Sequence, residues 1–130
     1  MYQVADIKQK YRIAIVLGYM GEKSVEEVVL EALRESPEWW VRQAAAETFV
    51  VIPSNNVIDN LIEALNDQNL EVRKSAAKAL GRIGDPRAIP ALEAACKVRE
   101  NRGNAYSESY TVEYYASGAI KIINQWAKKD

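Results

Sequence analysis

The feature that most constrains this chain is that it repeats itself. VRQAAAETFVVIP from Val41 lies on VRKSAAKALGRIG from Val72, 31 residues later. Leu17-Gly18-Tyr19-Met20-Gly21 lies on Leu80-Gly81-Arg82-Ile83-Gly84 at an offset of 63, two such units. Val112-Glu113-Tyr114-Tyr115-Ala116-Ser117-Gly118-Ala119-Ile120 lies on Val72 to Leu80 at an offset of 40, so the last copy contains an insertion of about nine residues. A period near 30 residues marks an array of supersecondary units, none of which can bury its apolar face alone.

The best-preserved unit shows what each copy is. In the stretch from Leu61 to Cys96, apolar residues recur at three- and four-residue steps (Leu61, Leu65, Val72, Ala76, Ala79, Leu80, Ile83, Ile89, Leu92, Cys96), which places them on one stripe of successive helices. Asn66-Asp67-Gln68-Asn69 and Gly84-Asp85-Pro86 interrupt the stripes, with Gly84 placed as a C-cap, Asp85 as an N-cap and Pro86 in a first turn. Pro37 after Ser36 and Pro53-Ser54-Asn55 punctuate the preceding copy in the same way. The spacing predicts helices near 2–20, 24–35, 38–51, 55–66, 70–83, 86–99 and 109–127. Residues 1–130 are thus expected to form a single all-α domain, a short right-handed α-solenoid of about three and a half hairpins. Alanines at 44, 45, 46, 76, 77 and 79 let helices approach closely while Phe49, Leu80 and Ile83 fill between layers. Gln3, Asp6, Lys8, Gln9, Lys10 and Arg12 at one end and Lys128-Lys129-Asp130 at the other give the polar outer faces that terminal repeats need.

The segment Asp67…Glu71-Val72-Arg73…Ala76-Ala77…Ala79-Leu80-Gly81-Arg82-Ile83-Gly84-Asp85-Pro86…Ala88-Ile89-Pro90-Ala91-Leu92 resembles the HEAT-like repeat of the phycobilisome-lyase type. There the second helix of each hairpin opens with Val-Arg and ends near Leu-Gly-x-Ile-Gly. The resemblance covers nearly the whole chain. It specifies a fold more than a function, because such repeats occur in bilin lyases, scaffolds, adaptors and DNA-repair enzymes. It also implies that Arg42 and Arg73 reach the loop acid and carbonyls of neighbouring hairpins as a ladder, which the last copy breaks by placing Glu113 at the arginine position.

Composition narrows the chemistry. Seventeen basic and 18 acidic residues nearly cancel, so no overall field recruits nucleic acid or an anionic membrane surface. The longest apolar run, Ile13 to Leu17, is too short to span a bilayer, and a cytoplasmic location without membrane contact is expected. The chain contains no histidine, and its single cysteine, Cys96, falls in register with core Leu65. No metal site, cofactor or catalytic constellation is expected. Glu26, Glu27, Glu31 and Glu35 read as a solvated face, and Gly18, Gly21, Gly81 and Gly84 as helix-end and close-packing positions.

The informative surface lies opposite the core of each second helix. In the third copy it comprises Glu71, Lys74, Lys78 and Arg82. The repeat offsets carry it to Trp40, Gln43, Glu47 and Val51, to Lys8, Tyr11, Ile15 and Tyr19, and to Thr111, Tyr114, Gly118 and Ile122. In HEAT-like solenoids the second helices line the concave side, so the resemblance makes this the inner groove. Tyr11, Tyr19, Trp40 and Tyr114 then make an aromatic groove able to anchor a protein segment, whereas Trp39 and Phe49 are expected in the core. A non-enzymatic interaction module or scaffold is the expected function, its partner a protein or peptide rather than nucleic acid. A bilin lyase subunit or related chromophore-handling protein is the alternative that the resemblance brings. The polar segment from Arg99 to Ser109 reads as a solvated loop.

Overall fold

A computed structural model describes residues 4–97 and 112–128, with side chains from residue 6. Within them seven α-helices follow one another: α1 (Val4–Tyr19), α2 (Glu26–Glu35), α3 (Trp39–Val51), α4 (Ile58–Ala64), α5 (Leu70–Ile83), α6 (Ile89–Lys97) and α7 (Val112–Ala127). The segment from Arg99 to Ser109 lies outside the described residues.

The helix ends follow from local chemistry. Asn69 caps α5 by accepting the Glu71 N–H at 2.8 Å, and Gly84 closes it in the left-handed region at φ 79°. Asp85 then accepts the Arg87 N–H at 2.9 Å with Pro86 directly after it, as the sequence predicts. The first helix of every hairpin, predicted as continuous, opens instead with one tighter 3-10 turn, at Lys23–Val25, Asn55–Val57 and Pro86–Ala88. Side chains of Glu22, Ser54 and Asp85 accept a backbone N–H at the start of these turns.

α2–α3, α4–α5 and α6–α7 pack as hairpins. The second helices form one layer in which α1 packs on α3, α3 on α5 and α5 on α7, and the first helices form the other, with α2 on α4. The result is an all-α solenoid. Its core runs between the layers through Val29, Phe49, Ile58, Leu61, Val72, Leu80, Leu92 and Ile123, and no buried side-chain polar atom among the described residues lacks a hydrogen-bond partner. Ala45, Ala46, Ala76, Ala77 and Ala79 are fully buried at the helix contacts. Gly18 and Gly81 set the closest approaches. A Cβ on Gly81 would stand 2.9 Å from Cα and Cβ of Ala119 on α7, and one on Gly18 would overlap the Thr48 methyl on α3.

Three expectations need correction. Trp39 is not core: it is 40% exposed, as is Leu70 (36%) at the equivalent position. Each is the first residue of its helix, beyond the zone where neighbouring helices meet, so the pairing of the two positions holds although the burial inferred from it does not. Cys96 is half-buried beside Ser117, 3.6 Å from its hydroxyl, rather than enclosed in the core. The N-terminal end is polar only in its first half. Asp6, Gln9, Lys10 and Arg12 face solvent, but so do Ile13, Val16, Leu17 and Met20.

Candidate functional site

A clasp between successive hairpins orients the second-helix layer. Arg42 on α3 donates from Nε and Nη2 to the two carboxylate oxygens of Asp67, at 2.8 and 3.0 Å, and from Nη1 to the Ser36 carbonyl at 2.9 Å. Arg73 repeats half of this one unit later, donating to the carbonyls of Asp67 at 2.7 Å and Gln68 at 3.2 Å. The planar fork of arginine suits such multiple fixed acceptors. Burial opposes ionisation of Asp67, but the Arg42 hydrogen bonds, the Asn69 N–H and the charges of Arg42 and Arg73 outweigh it and hold the carboxyl below its ordinary value. The arginine ladder is therefore present between the second and third hairpins.

The clasp fixes which flank of α3 and α5 turns outward. On α3 that flank carries Trp40, which is 50% exposed, with Gln43, Glu47 and exposed Val51. On α5 it carries Glu71, Lys74, Lys78 and Arg82. Glu47 ties the two rows together, accepting from the Ser75 hydroxyl at 2.9 Å and from Lys78 Nζ at 3.2 Å, and Lys74 reaches Glu71 at 3.2 Å. On α7 Tyr114 and Ile122 are exposed and Gly118 leaves open space. There a cleft of about 470 Å³ is lined by Lys78, Gly81, Tyr114, Tyr115, Gly118 and Ile122. Tyr19 of α1 is exposed beside α3, and partial burial followed by the Glu47 carboxylate raises its pKa.

Tyr11 does not belong to this surface. It is 5% exposed, and burial, then Glu31 and Glu35 of α2, push its phenol above the ordinary value. The same turn of α1 buries Ile15. The cause lies in the packing of α1: Tyr11, Ala14, Ile15 and Gly18 face α2 and α3, rotating the expected stripe inward and leaving only Lys8 and Tyr19 of it on the surface. Lys8 is drawn to Glu38 at the entrance of α3. Sequence reasoning missed Trp39, whose ring meets that of Trp40 edge-on at a centroid distance of 6.0 Å, giving a paired aromatic knob. Adjacency gives no signal for this, since it excludes only that both consecutive tryptophans enter a core reached from one side and is met equally by Trp39 inside and Trp40 outside.

Among the described residues no group of three or more histidine, cysteine, aspartate or glutamate side chains is placed to hold a metal ion, and no helix is long and apolar enough to cross a membrane. What the arrangement offers is a polar-aromatic face spread over several second helices of a helical-repeat solenoid. Comparison with known proteins agrees with that class. Residues 27–106 match the HEAT repeats, and the chain belongs to that family. A stretch of 68 residues, 47% of the chain, is 34% identical to the phycocyanobilin lyase subunit alpha of Thermosynechococcus vestitus. That stretch covers 25% of the length of this curated relative, which is thus considerably longer than the matched region.

Proposed function

We propose that the chain is a non-enzymatic protein-interaction module whose second-helix face, the concave side of the solenoid, docks a segment of another protein. The observation that carries this reading is the set of exposed large side chains at equivalent repeat positions: Tyr19, Trp40, Val51, Tyr114 and Ile122, interleaved with Gln43, Glu47, Lys78 and Arg82. Aromatic anchors within a polar surround are the composition of binding hot spots. Lys74 and Lys78 already face Glu71 and Glu47, so the basic stripe of α5 is largely neutralised within the face, which favours a protein over nucleic acid. The experiment installs a photo-crosslinking amino acid at position 40 and, for comparison, at Glu63 on the opposite layer, in cells that express the chain. Partner adducts from position 40 but not from 63 are expected. Adducts from 63 alone would sink this reading.

The similarity to a phycocyanobilin lyase subunit favours a second reading, a chromophore-handling protein of the lyase type. Co-expression with a bilin and a bilin-accepting protein then yields a coloured covalent adduct that depends on this chain. A colourless acceptor in that experiment removes the lyase reading and leaves the docking one standing.

A further inference from the structure

The outward flank of the second helices is not uniform along its length. The repeat offsets divide it into rows that cross the helices, with one residue from each. The rows through Gln43 and Lys74 and through Glu47 and Lys78 are closed at α1, where their members Tyr11 and Ile15 are 5% and 7% exposed. One turn further on, Tyr19, Val51, Arg82 and Ile122 are exposed on every helix.

This last row is continuous in space. A Cβ on Gly18, next to Tyr19, would stand 3.6 Å from Cδ1 of Ile52, next to Val51. One on Gly81, next to Arg82, would stand 3.8 Å from Cδ1 of Ile122. Between these joints Glu47 ties α3 to α5 through Ser75 and Lys78, one turn before Val51 and Arg82. Val51 and Arg82 belong to helices flanked on both sides by described neighbours, so the middle of the row is set by the interior of the array.

Two properties of the row select an occupant. The first is its geometry. Packed helices lie about 8–10 Å apart and an extended chain advances about 3.3 Å per residue, so every third residue of such a chain meets a new helix. At α1 the accessible strip is a single turn, about 5.4 Å, which matches the roughly 4.8 Å breadth of an extended strand and not the roughly 10–12 Å of a helix. The second property is charge. Lys74 and Lys78 are paired with Glu71 and Glu47, whereas Arg82 is exposed and makes no ion pair among the described residues. A guanidinium in that state takes a carboxylate through two parallel hydrogen bonds.

We infer that the segment docked on the second-helix face is an extended stretch of a partner protein that crosses the four helices along this row. It places an acidic side chain against Arg82, with apolar residues three positions to either side against Val51 and Ile122. This rests on the reading of that face as a docking surface and names the chemistry of what docks there.

The probe is a library of random peptides displayed on phage and panned on the full chain. Enriched peptides are expected to share an aspartate or glutamate with one large apolar residue three places before it and another three places after. A synthetic, fluorescein-labelled copy of that consensus binds by anisotropy, and Arg82→Glu weakens it about tenfold or more, as does Arg82→Gln should the first variant lose its helical circular dichroism. Exchanging the acid of the peptide for lysine restores binding to Arg82→Glu, which damage to the fold cannot do. Val51→Asp also weakens the original peptide, and Glu63→Gln, on the opposite layer, leaves it unchanged. No shared motif, a motif without the acid, or equal binding by the Arg82 variants overturns the proposal. So does a sedimentation profile showing a dimer that Arg82→Glu dissociates, since a second copy then covers the row. Partner adducts from position 40 alongside any of these results leave the docking reading standing and remove this inference alone.

Discussion

Asp67 is the residue on which most local order converges, since its carboxylate takes two bonds from Arg42 and one from the Asn69 N–H while its carbonyl takes one from Arg73. Asp67→Asn is expected to cost about 2 kcal/mol at neutral pH, the scale of a hydrogen bond to a charged group. The native pKa is lowered, so the stabilisation is complete above the ordinary carboxylate range and lost as pH falls through the native value. Urea unfolding of wild type and variant from pH 7 to 3 should therefore show the gap closing at the acid end; a constant gap would mean that the charge contributes nothing. The two tryptophans make a second residue-scale prediction. With Trp39 and Trp40 both on the surface, alanine at either position should cost less than about 1 kcal/mol of stability, far below the 3–5 kcal/mol of an emptied aromatic core site. If the second-helix face docks a partner, Trp40→Ala should still weaken binding by about 2 kcal/mol or more, measured by calorimetry. Burial of Phe49, Ala76, Ala77, Ala79 and Leu80 was legible because period and size agree there. Burial of Trp39 was not, because alignment transfers position along a helix, and exposure at a first turn depends on where the neighbouring helix ends.

Whole helices were legible to within a few residues because caps, prolines and glycines carry their own geometry, as at Asn69, Gly84 and Pro86. The exception is α1, where the periodic pattern is sound but its orientation is not. An apolar stripe states that one side of a helix is buried without naming the helix that buries it, and α1 has two apolar sides, Tyr11-Ala14-Ile15 and Ile13-Val16-Leu17-Met20. Only the first finds α2 and α3. The contact between α5 and α7 gives a prediction with opposite signs at two glycines. Gly81→Ala forces a methyl to 2.9 Å from the backbone of Ala119 and should destabilise by about 1–3 kcal/mol through overpacking. Gly118→Ala, which meets nothing within 4 Å, should stabilise by about 0.5–1 kcal/mol through the lower entropy cost of ordering alanine in a helix. Thermal unfolding of the two variants checks both, and equal shifts would show that the close approach does not govern this joint.

At the scale of the whole molecule, stability is a sum of hairpins and of the joints between them, so local damage spreads only through shared interfaces. Ala77 is fully buried on α5, and Ala77→Leu should cost roughly 1–3 kcal/mol. Because α5 joins α3 to α7, far-UV circular dichroism and tryptophan fluorescence, which reports from Trp39, Trp40 and Trp126, should shift together. A split transition would show that the ends of the array unfold apart. The arginine clasp has a further consequence, one of inheritance rather than energetics. Arg42 reaches back six residues to the carbonyl of Ser36 and forward 25 to the carboxylate of Asp67, while Arg73 makes the same backward reach to Asp67. One unit thus holds both a hook for the loop ahead and an eye for the hook behind. A tandem duplication of such a segment copies hook and eye together, and the newborn repeat fits its parent at once. Lengthening the array by whole hairpins then needs no compensating mutation at the joint, whereas Glu113, standing where the next hook would be, ends the series in which that freedom applies.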